Sequence, residues 1–239
     1  MSDIRIGARN LGKTFPGGIE AVANVDLDIQ PGSVTALLGP TGCGKSTVLR
    51  MLGGLEVPTT GEVLVDPEIE VGFCFQDPRL LPWRDVRRNV ALPLELDRRP
   101  RPEIRERVDR QLRTVGLLDA AERLPAALSG GMRMRTAVAR SLVGDPELLL
   151  LDEPFGALDE VTRFRLDEEL ASLVRDGGPT VVIVTTEESL RAVPDELREA
   201  AREDDVLTED GHLLQGLGQQ VLEHGHLRRR LLLPDVGHR

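Results

Sequence analysis

The sequence is poor in the features that mark secreted, membrane-spanning or metal-built proteins. It has two cysteines, Cys43 and Cys74, without the spacing of metal ligands. Both read as thiols that stay reduced in a cytosol. No apolar run approaches membrane-spanning length; the longest, Leu148 to Leu151 and Val181 to Val184, have the length of strands. A basic, apolar leader is absent, so nothing points to export. Basic residues are outnumbered, 30 against 40 acidic, and the net charge of -10 argues against a broad nucleic-acid-binding face. Internal repeats and low-complexity segments are also missing.

What is present suits one folded domain. The chain has 239 residues, 40% of them apolar, enough for a proper core. Its organising stretch is Gly39-Pro40-Thr41-Gly42-Cys43-Gly44-Lys45-Ser46-Thr47. Val34, Ala36, Leu37 and Leu38 before it read as a buried strand, and Val48, Leu49, Met51 and Leu52 after it as the buried face of a helix. A glycine, four residues, then glycine-lysine-serine between strand and helix is a phosphate-binding loop. Glycines let successive N–H groups turn toward one anion. The helix starting near Gly44 adds its positive end. Lys45 would reach the β- and γ-phosphates, and the Ser46 hydroxyl would hold Mg²⁺.

The opening of the chain reads as β-structure: Ile4 to Phe15, then Val22, Val25, Leu27 and Ile29 in alternation. Pro31-Gly32 turns into the strand that feeds the loop, and Gly53-Gly54 ends the first helix. Glu62 to Val65 and Val71 to Gln76 read as strands. Asp77 to Trp83, with two prolines and the single tryptophan, cannot be regular. Arg84 to Arg140 is helical in pattern, with Ile104, Val108, Leu112 and Val115 at helical steps between Pro102 and Gly116. Its arginines read as a solvated face. Ser129 caps a further helix running to Leu142.

Leu148 to Glu153 reads as a strand buried on both faces that ends in two carboxylates. It is expected beside the phosphate-loop strand. Asp152 would hold Mg²⁺ through water, and Glu153 would act as general base toward the attacking water. A helix is expected from about Asp159, a buried strand over Thr180 to Thr185, a charged helix over Leu190 to Arg202 and a short strand at Val206-Leu207. The alternation implies a mostly parallel sheet with right-handed crossovers.

Leu128-Ser129-Gly130-Gly131-Met132 forms a second anion site at a helix start. Two such sites exceed what one nucleotide needs. Here the chain resembles the ATP-binding subunit of an ABC transporter. Gly39 to Thr47 matches the Walker A loop, Gln76 the Q-loop glutamine, Ser129 to Met132 the signature, Leu148 to Glu153 Walker B, and Ala157-Leu158-Asp159 the D-loop. Phe15 stands where the family stacks an aromatic residue on adenine, and Val22 joins it among the expected nucleotide contacts. The resemblance runs from about residue 3 to 190. Phe75 to Trp83 and Leu128 to Arg135 look most like the subunits of nitrate, sulfonate and taurine importers.

The resemblance implies an α/β P-loop NTPase fold with a RecA-like, mostly parallel sheet core. An N-terminal antiparallel β subdomain and an inserted helical subdomain at about 78–142 complete one domain over 1–215, with a tail over 216–239. It implies ATP and Mg²⁺ as ligands, the metal held by Ser46, Gln76 and Asp152. Glu153, Gln76 and Lys45 would carry catalysis. A second ATP-binding subunit, like or unlike, would close on ATP held between one Walker A loop and the other chain's Ser129 to Met132. The other partners would be a transmembrane permease and, indirectly, a solute-binding protein, with no nucleic acid, at the cytoplasmic face of the membrane. Trp83 either faces the permease or packs under the helical insertion.

One position departs from the family. Thr186 stands where relatives carry a histidine that contacts the γ-phosphate, and all four histidines come at His212 or later. Threonine is shorter and carries no charge. Slow hydrolysis at the chain's own Walker site is therefore expected. The alternative is a degenerate ATP-binding module with little turnover. Met134 also replaces a usual glutamine, and Asp66 to Val71 is shorter than in relatives.

Overall fold

The computed structural model describes residues 6–154, 178–185, 206–207 and 213–214. The expected D-loop, Thr186, the helices after Asp159 and Leu190, and the tail lie outside them. Two sheets organise the rest. Strands β1 (Ile6–Phe15), β2 (Ile19–Ile29) and β4 (Thr60–Val63) form an antiparallel sheet in the order β2-β1-β4. Strands β3 (Val34–Leu38), β5 (Val71–Cys74), β6 (Leu148–Asp152), β7 (Thr180–Thr185), β8 (Val206–Leu207) and β9 (Leu213–Leu214) form the second, ordered β5-β6-β7-β3-β8-β9. Only its β8–β9 pair is antiparallel. This is the expected α/β P-loop architecture.

The central strands are apolar throughout because both faces of their sheet are covered. Leu148 and Leu150 of β6, with Val182 and Val184 of β7, face a core built from β1, β2 and helix α1 (Lys45–Leu52). Leu149, Leu151, Val181 and Ile183 face the opposite way, against Met134, Ala137, Val138 and Leu142 of helix α4 (Gly130–Leu142). Period-two alternation thus feeds two separate cores from one leucine run. Helix α4 comes close to the sheet over Gly72, where a Cβ would lie 2.2 Å from the Ser141 carbonyl oxygen.

Between β5 and β6 run α2 (Val86–Leu96), α3 (Arg101–Thr114), two 3-10 turns and α4. Their facing sides make a third core from Val90, Leu94, Val108, Leu112 and Ala139. On α3, Arg101, Arg105, Arg110 and Arg113 are exposed. Its ion pairs include Arg107–Glu103 at 3.1 Å and Arg110–Glu106 at 3.5 Å, so these arginines do form a solvated face.

One expectation is corrected. The β6 strand does not lie beside the phosphate-loop strand β3; β7 intervenes and pairs with both. At the usual strand spacing this puts β3 and β6 about 10 Å apart. Their carboxyl ends still meet one site, because α1 leaves β3 and packs across the sheet against both β6 and β7.

Candidate functional site

The site forms along the carboxyl edge of the parallel sheet, where β3, β5 and β6 end. Such edges are the usual ligand crevice of open α/β sheets. Leu38 ends β3 opposite Thr185 of β7, and Asp152 ends β6 opposite Val184 of the same strand. The strand register therefore brings the loop after Leu38 and the carboxylates after Leu151 to one level.

The loop over Gly39 to Thr47 depends on three left-handed glycines: Gly39 (φ 153), Gly42 (φ 91) and Gly44 (φ 98). Gly44 is irreplaceable on two counts. Its φ disfavours any side chain, and a Cβ would lie 2.2 Å from the Ala21 carbonyl oxygen on β2. It is also the residue that precedes α1, so the first N–H groups of that helix open toward the loop. Lys45 is buried, with Nζ donating to the carbonyl oxygens of Gly39 at 2.8 Å and Pro40 at 2.7 Å. Pro40, Thr41 and Gly42 are exposed on the loop's outer side. Cys43 is half-buried, its Sγ 3.8 Å from Lys45 Nζ.

Ser46, in the first turn of α1, donates from Oγ to Asp152 Oδ1 at 2.7 Å. Asp152 is fully buried, and its second oxygen, Oδ2, has no hydrogen-bond partner among the described residues. The nearest cation to Oδ2 is Arg50 Nη2 at 3.8 Å. A buried carboxylate oxygen left open beside a serine hydroxyl suits a hard cation with oxygen ligands, so these residues fit Mg²⁺.

Glu153 follows in the left-handed region at φ 47, its amide donating to the Val184 carbonyl at 2.9 Å. That turn aims the carboxylate across the edge to β5. There Gln76 Nε2 donates to Glu153 Oε2 at 2.8 Å. Gln76 lies two residues beyond the end of β5, in irregular chain.

The other expected nucleotide contacts stand on β1, β2 and the start of α4. Ser129 is exposed, and its Oγ accepts from the Met132 amide at 3.2 Å, capping α4. Gly130 and Gly131 form the first turn of α4, and Met132 is half-buried. Phe15 is half-buried at the end of β1, with Lys13 Nζ 5.2 Å from its ring centre. Val22 is buried, its Cγ2 3.0 Å from the place a Cβ on Gly44 would take, so it props the loop from behind. Trp83 is 71% exposed, which decides against packing under the helices.

Two polar side chains behind the site escaped the sequence reading. Arg140, in the last turn of α4, donates to the Pro78 carbonyl at 2.8 Å and the Arg79 carbonyl at 3.0 Å. Asn89 on α2 is fully buried; it accepts from the Leu81 amide at 2.8 Å and donates to the Arg84 carbonyl at 2.8 Å. For Asn89 the signal was a polar residue on an otherwise apolar helical stripe.

Cys74, at the end of β5, lies under this region. Burial pushes its thiol up to about 12, against a smaller opposing pull from Arg140. Burial also lowers the Arg140 guanidinium from its ordinary value.

The chain is similar to known proteins. Residues 22–156 match the family described as ABC transporter. The chain is 46% identical over 192 residues to the aliphatic sulfonates import ATP-binding protein SsuB 1 of Xanthomonas axonopodis pv. citri, covering 77% of this chain and 76% of that one. It is 43% identical to the bicarbonate transport ATP-binding protein CmpC of Synechococcus elongatus, over 75% of this chain and 29% of that one. Among solved structures it is similar to a dimeric post-hydrolysis state of an ATP-binding cassette bound to ADP and Pi. The TM-score is 0.77 at 30% identity, over 90% of this chain and 99% of the other.

Proposed function

The chain belongs to the ABC transporter family, and from that premise we propose that it is the ATP-hydrolysing subunit of an importer for a small anion. ATP hydrolysis coupled to transport is the activity of such subunits. Nitrate, a sulfonate and taurine are the candidate solutes. The names of the relatives, sulfonate and bicarbonate importers, support a small anionic cargo.

In this reading the Gly39 to Thr47 loop receives the phosphates. Lys45 exchanges the carbonyls of Gly39 and Pro40 for the β- and γ-phosphate oxygens. Phe15 stacks on adenine. Ser46, Asp152 and Gln76 hold Mg²⁺, which when bound neutralises phosphate charge. Glu153 takes a proton from the attacking water, and its hydrogen bond to Gln76 holds the carboxylate in place until then. Glu153 follows β6, a strand other than the one that carries the loop, so it would approach the attacking water from a separate support.

Ser129 to Met132 serves the nucleotide of a second subunit. The exposed cap of α4 supports this, because its N–H groups have no role in the chain's own loop. Two subunits then close over two ATP molecules and reopen after hydrolysis. The exposed Trp83, with Leu81 and Pro82, faces the permease at the cytoplasmic side of the membrane. No helix among the described residues is long and apolar enough to cross a membrane.

A single observation carries the reading: Ser46 Oγ lies 2.7 Å from a buried Asp152 whose other oxygen has no hydrogen-bond partner among the described residues. The purified chain is expected to bind Mg-ATP in equilibrium dialysis and to hydrolyse it. Glu153→Gln is expected to abolish turnover and to accumulate ATP-dependent dimers in light scattering. No ATP affinity, or dimers that ignore ATP, would overturn it. Thr186 supports slow hydrolysis at the chain's own site, since one lost transition-state contact costs roughly 10²–10³ in rate. Thr186→His is then expected to raise kcat; an unchanged kcat assigns the slow step elsewhere.

A further inference from the structure

The segment from Gln76 to Arg84 has no regular structure, yet it is fastened at two points from behind. Asn89 fixes its distal half, through the Leu81 amide and the carbonyls of Leu81, Arg84 and Asp85. Arg140 fixes its proximal half, through the adjacent carbonyls of Pro78 and Arg79. Around that clamp the chain makes further contacts. The Arg79 backbone is left-handed at φ 45, its amide donates to Asp77 Oδ1 at 3.2 Å, and its guanidinium stacks 4.3 Å over the Phe75 ring.

Arg140 is an unusual choice for a mere tether. It forms no ion pair among the described residues and spends its charge on two backbone carbonyls. A planar guanidinium can meet two neighbouring acceptors in parallel, which an ammonium or an amide does less well. The clamp therefore fixes the orientation of the Pro78–Arg79 peptide as well as its distance. Gln76, two residues upstream, is the group that touches Glu153.

The same side chain stands on the helix that Ser129 caps. The eleven steps from the Ser129 cap to Arg140 span about 16 Å along α4, at 1.5 Å per residue. The helix thus runs from the Ser129 cap to the side chain that holds the Pro78 and Arg79 carbonyls.

We propose that Arg140 is a positioning residue for ATP hydrolysis, tying α4 to the Pro78–Arg79 backbone and so setting Gln76 against Glu153. The proposal rests on the roles given above to Gln76 and Glu153. It adds a link from the surface offered to a second subunit, through α4, to the carboxylate of the chain's own site.

The test is a cycle of four full-length variants: Arg140→Met, Arg140→Lys, Gln76→Ala and Gln76→Ala with Arg140→Met. Turnover is followed against ATP concentration, and Mg-ATP affinity is measured separately by equilibrium dialysis. Arg140→Met is expected to lower kcat by about tenfold or more while affinity and KM change by less than about threefold, the pattern of a group that acts after binding. Arg140→Lys, which keeps the charge but not the fork, is expected to fall between. In the Gln76→Ala background the Arg140→Met change is expected to cost less than about twofold, because residues acting in series are non-additive.

Equal losses from Arg140→Met in both backgrounds would overturn the link. So would a parallel loss of affinity and kcat. If Gln76→Ala alone turns over at the parent rate, the role of Gln76 is what fails, and the proposal falls with it. If Arg140→Met does not fold, the same cycle run with Arg140→Lys decides between the same outcomes.

Discussion

The two thiols differ in one respect that matters, their access to water. Cys43 is half-buried on the phosphate loop with an ammonium 3.8 Å from its sulfur. Cys74 is sealed between β5 and α4, near Met134, and its thiol is pushed up to about 12. Cys43 is open to a reagent from water and Cys74 is not, so Cys43 is the thiol that reacts in the folded chain. The native chain is expected to release one equivalent of thiolate from an aromatic disulfide reagent, with the second released only in denaturant. Mg-ATP is expected to slow the first. The same contrast sets an alkaline limit on stability. Below about pH 9 Cys74 is protonated whether folded or unfolded and contributes nothing to pH dependence. Between about 9 and about 12 the unfolded chain loses a proton that the folded chain keeps, so stability falls as pH rises. Urea titrations across that window, with Cys74→Ala as the control, are expected to show a slope that the control reduces.

At the scale of elements, buried polar clamps matter as much as apolar packing. Asn89 on α2 is the case in point. Asn89→Ala would leave the Leu81 amide and the Arg84 carbonyl without the partner that Asn89 supplies, a loss on the order of 2 kcal/mol. A fall of about that size in urea-denaturation stability is expected, and a change under about 0.5 kcal/mol, the ordinary size for an inert surface site, would refute the clamp. The elements themselves were largely legible. The phosphate loop between β3 and α1, the Ser129 cap of α4 and the leucine run of β6 each carry a local pattern that fixes their structure. The strand order was not. Whether β6 neighbours β3 depends on where each crossover lands, and no stretch of residues encodes that. The Gln76–Glu153 contact was half legible: both residues stood out, but their meeting depends on the left-handed turn at Glu153. Arg140 was hidden for a different reason. An arginine in the last turn of a helix ordinarily complements the helix dipole, and only the folded chain brings the Pro78 and Arg79 carbonyls to it. Helix α2 contains Pro93, which a local reading takes as a stop. Burial of Val86, Val90 and Leu94 along one side holds the helix through it.

For the molecule as a whole, the chemistry is spread over separate supports: a loop after β3, carboxylates after β6, a glutamine after β5 and the Ser129 cap on the far helix. The leucines of β6 enter the cores on both faces of the sheet, and two side-chain hydrogen bonds, Ser46 to Asp152 and Gln76 to Glu153, join the groups across the strands. The parallel sheet fixes the first three at one edge, and α4 connects that edge to the surface proposed to meet a second subunit. The backbone at Glu153 carries a cost for this arrangement. A side chain in the left-handed region costs roughly 1–2 kcal/mol that glycine would not incur. Glu153→Gly is therefore expected to leave an inert protein that is no less heat-resistant than its parent, and scanning calorimetry beside a turnover assay would test both halves. Pressure for endurance alone would erase the carboxylate. Its presence in that turn is what the proposed role as general base would require, at the expense of toughness.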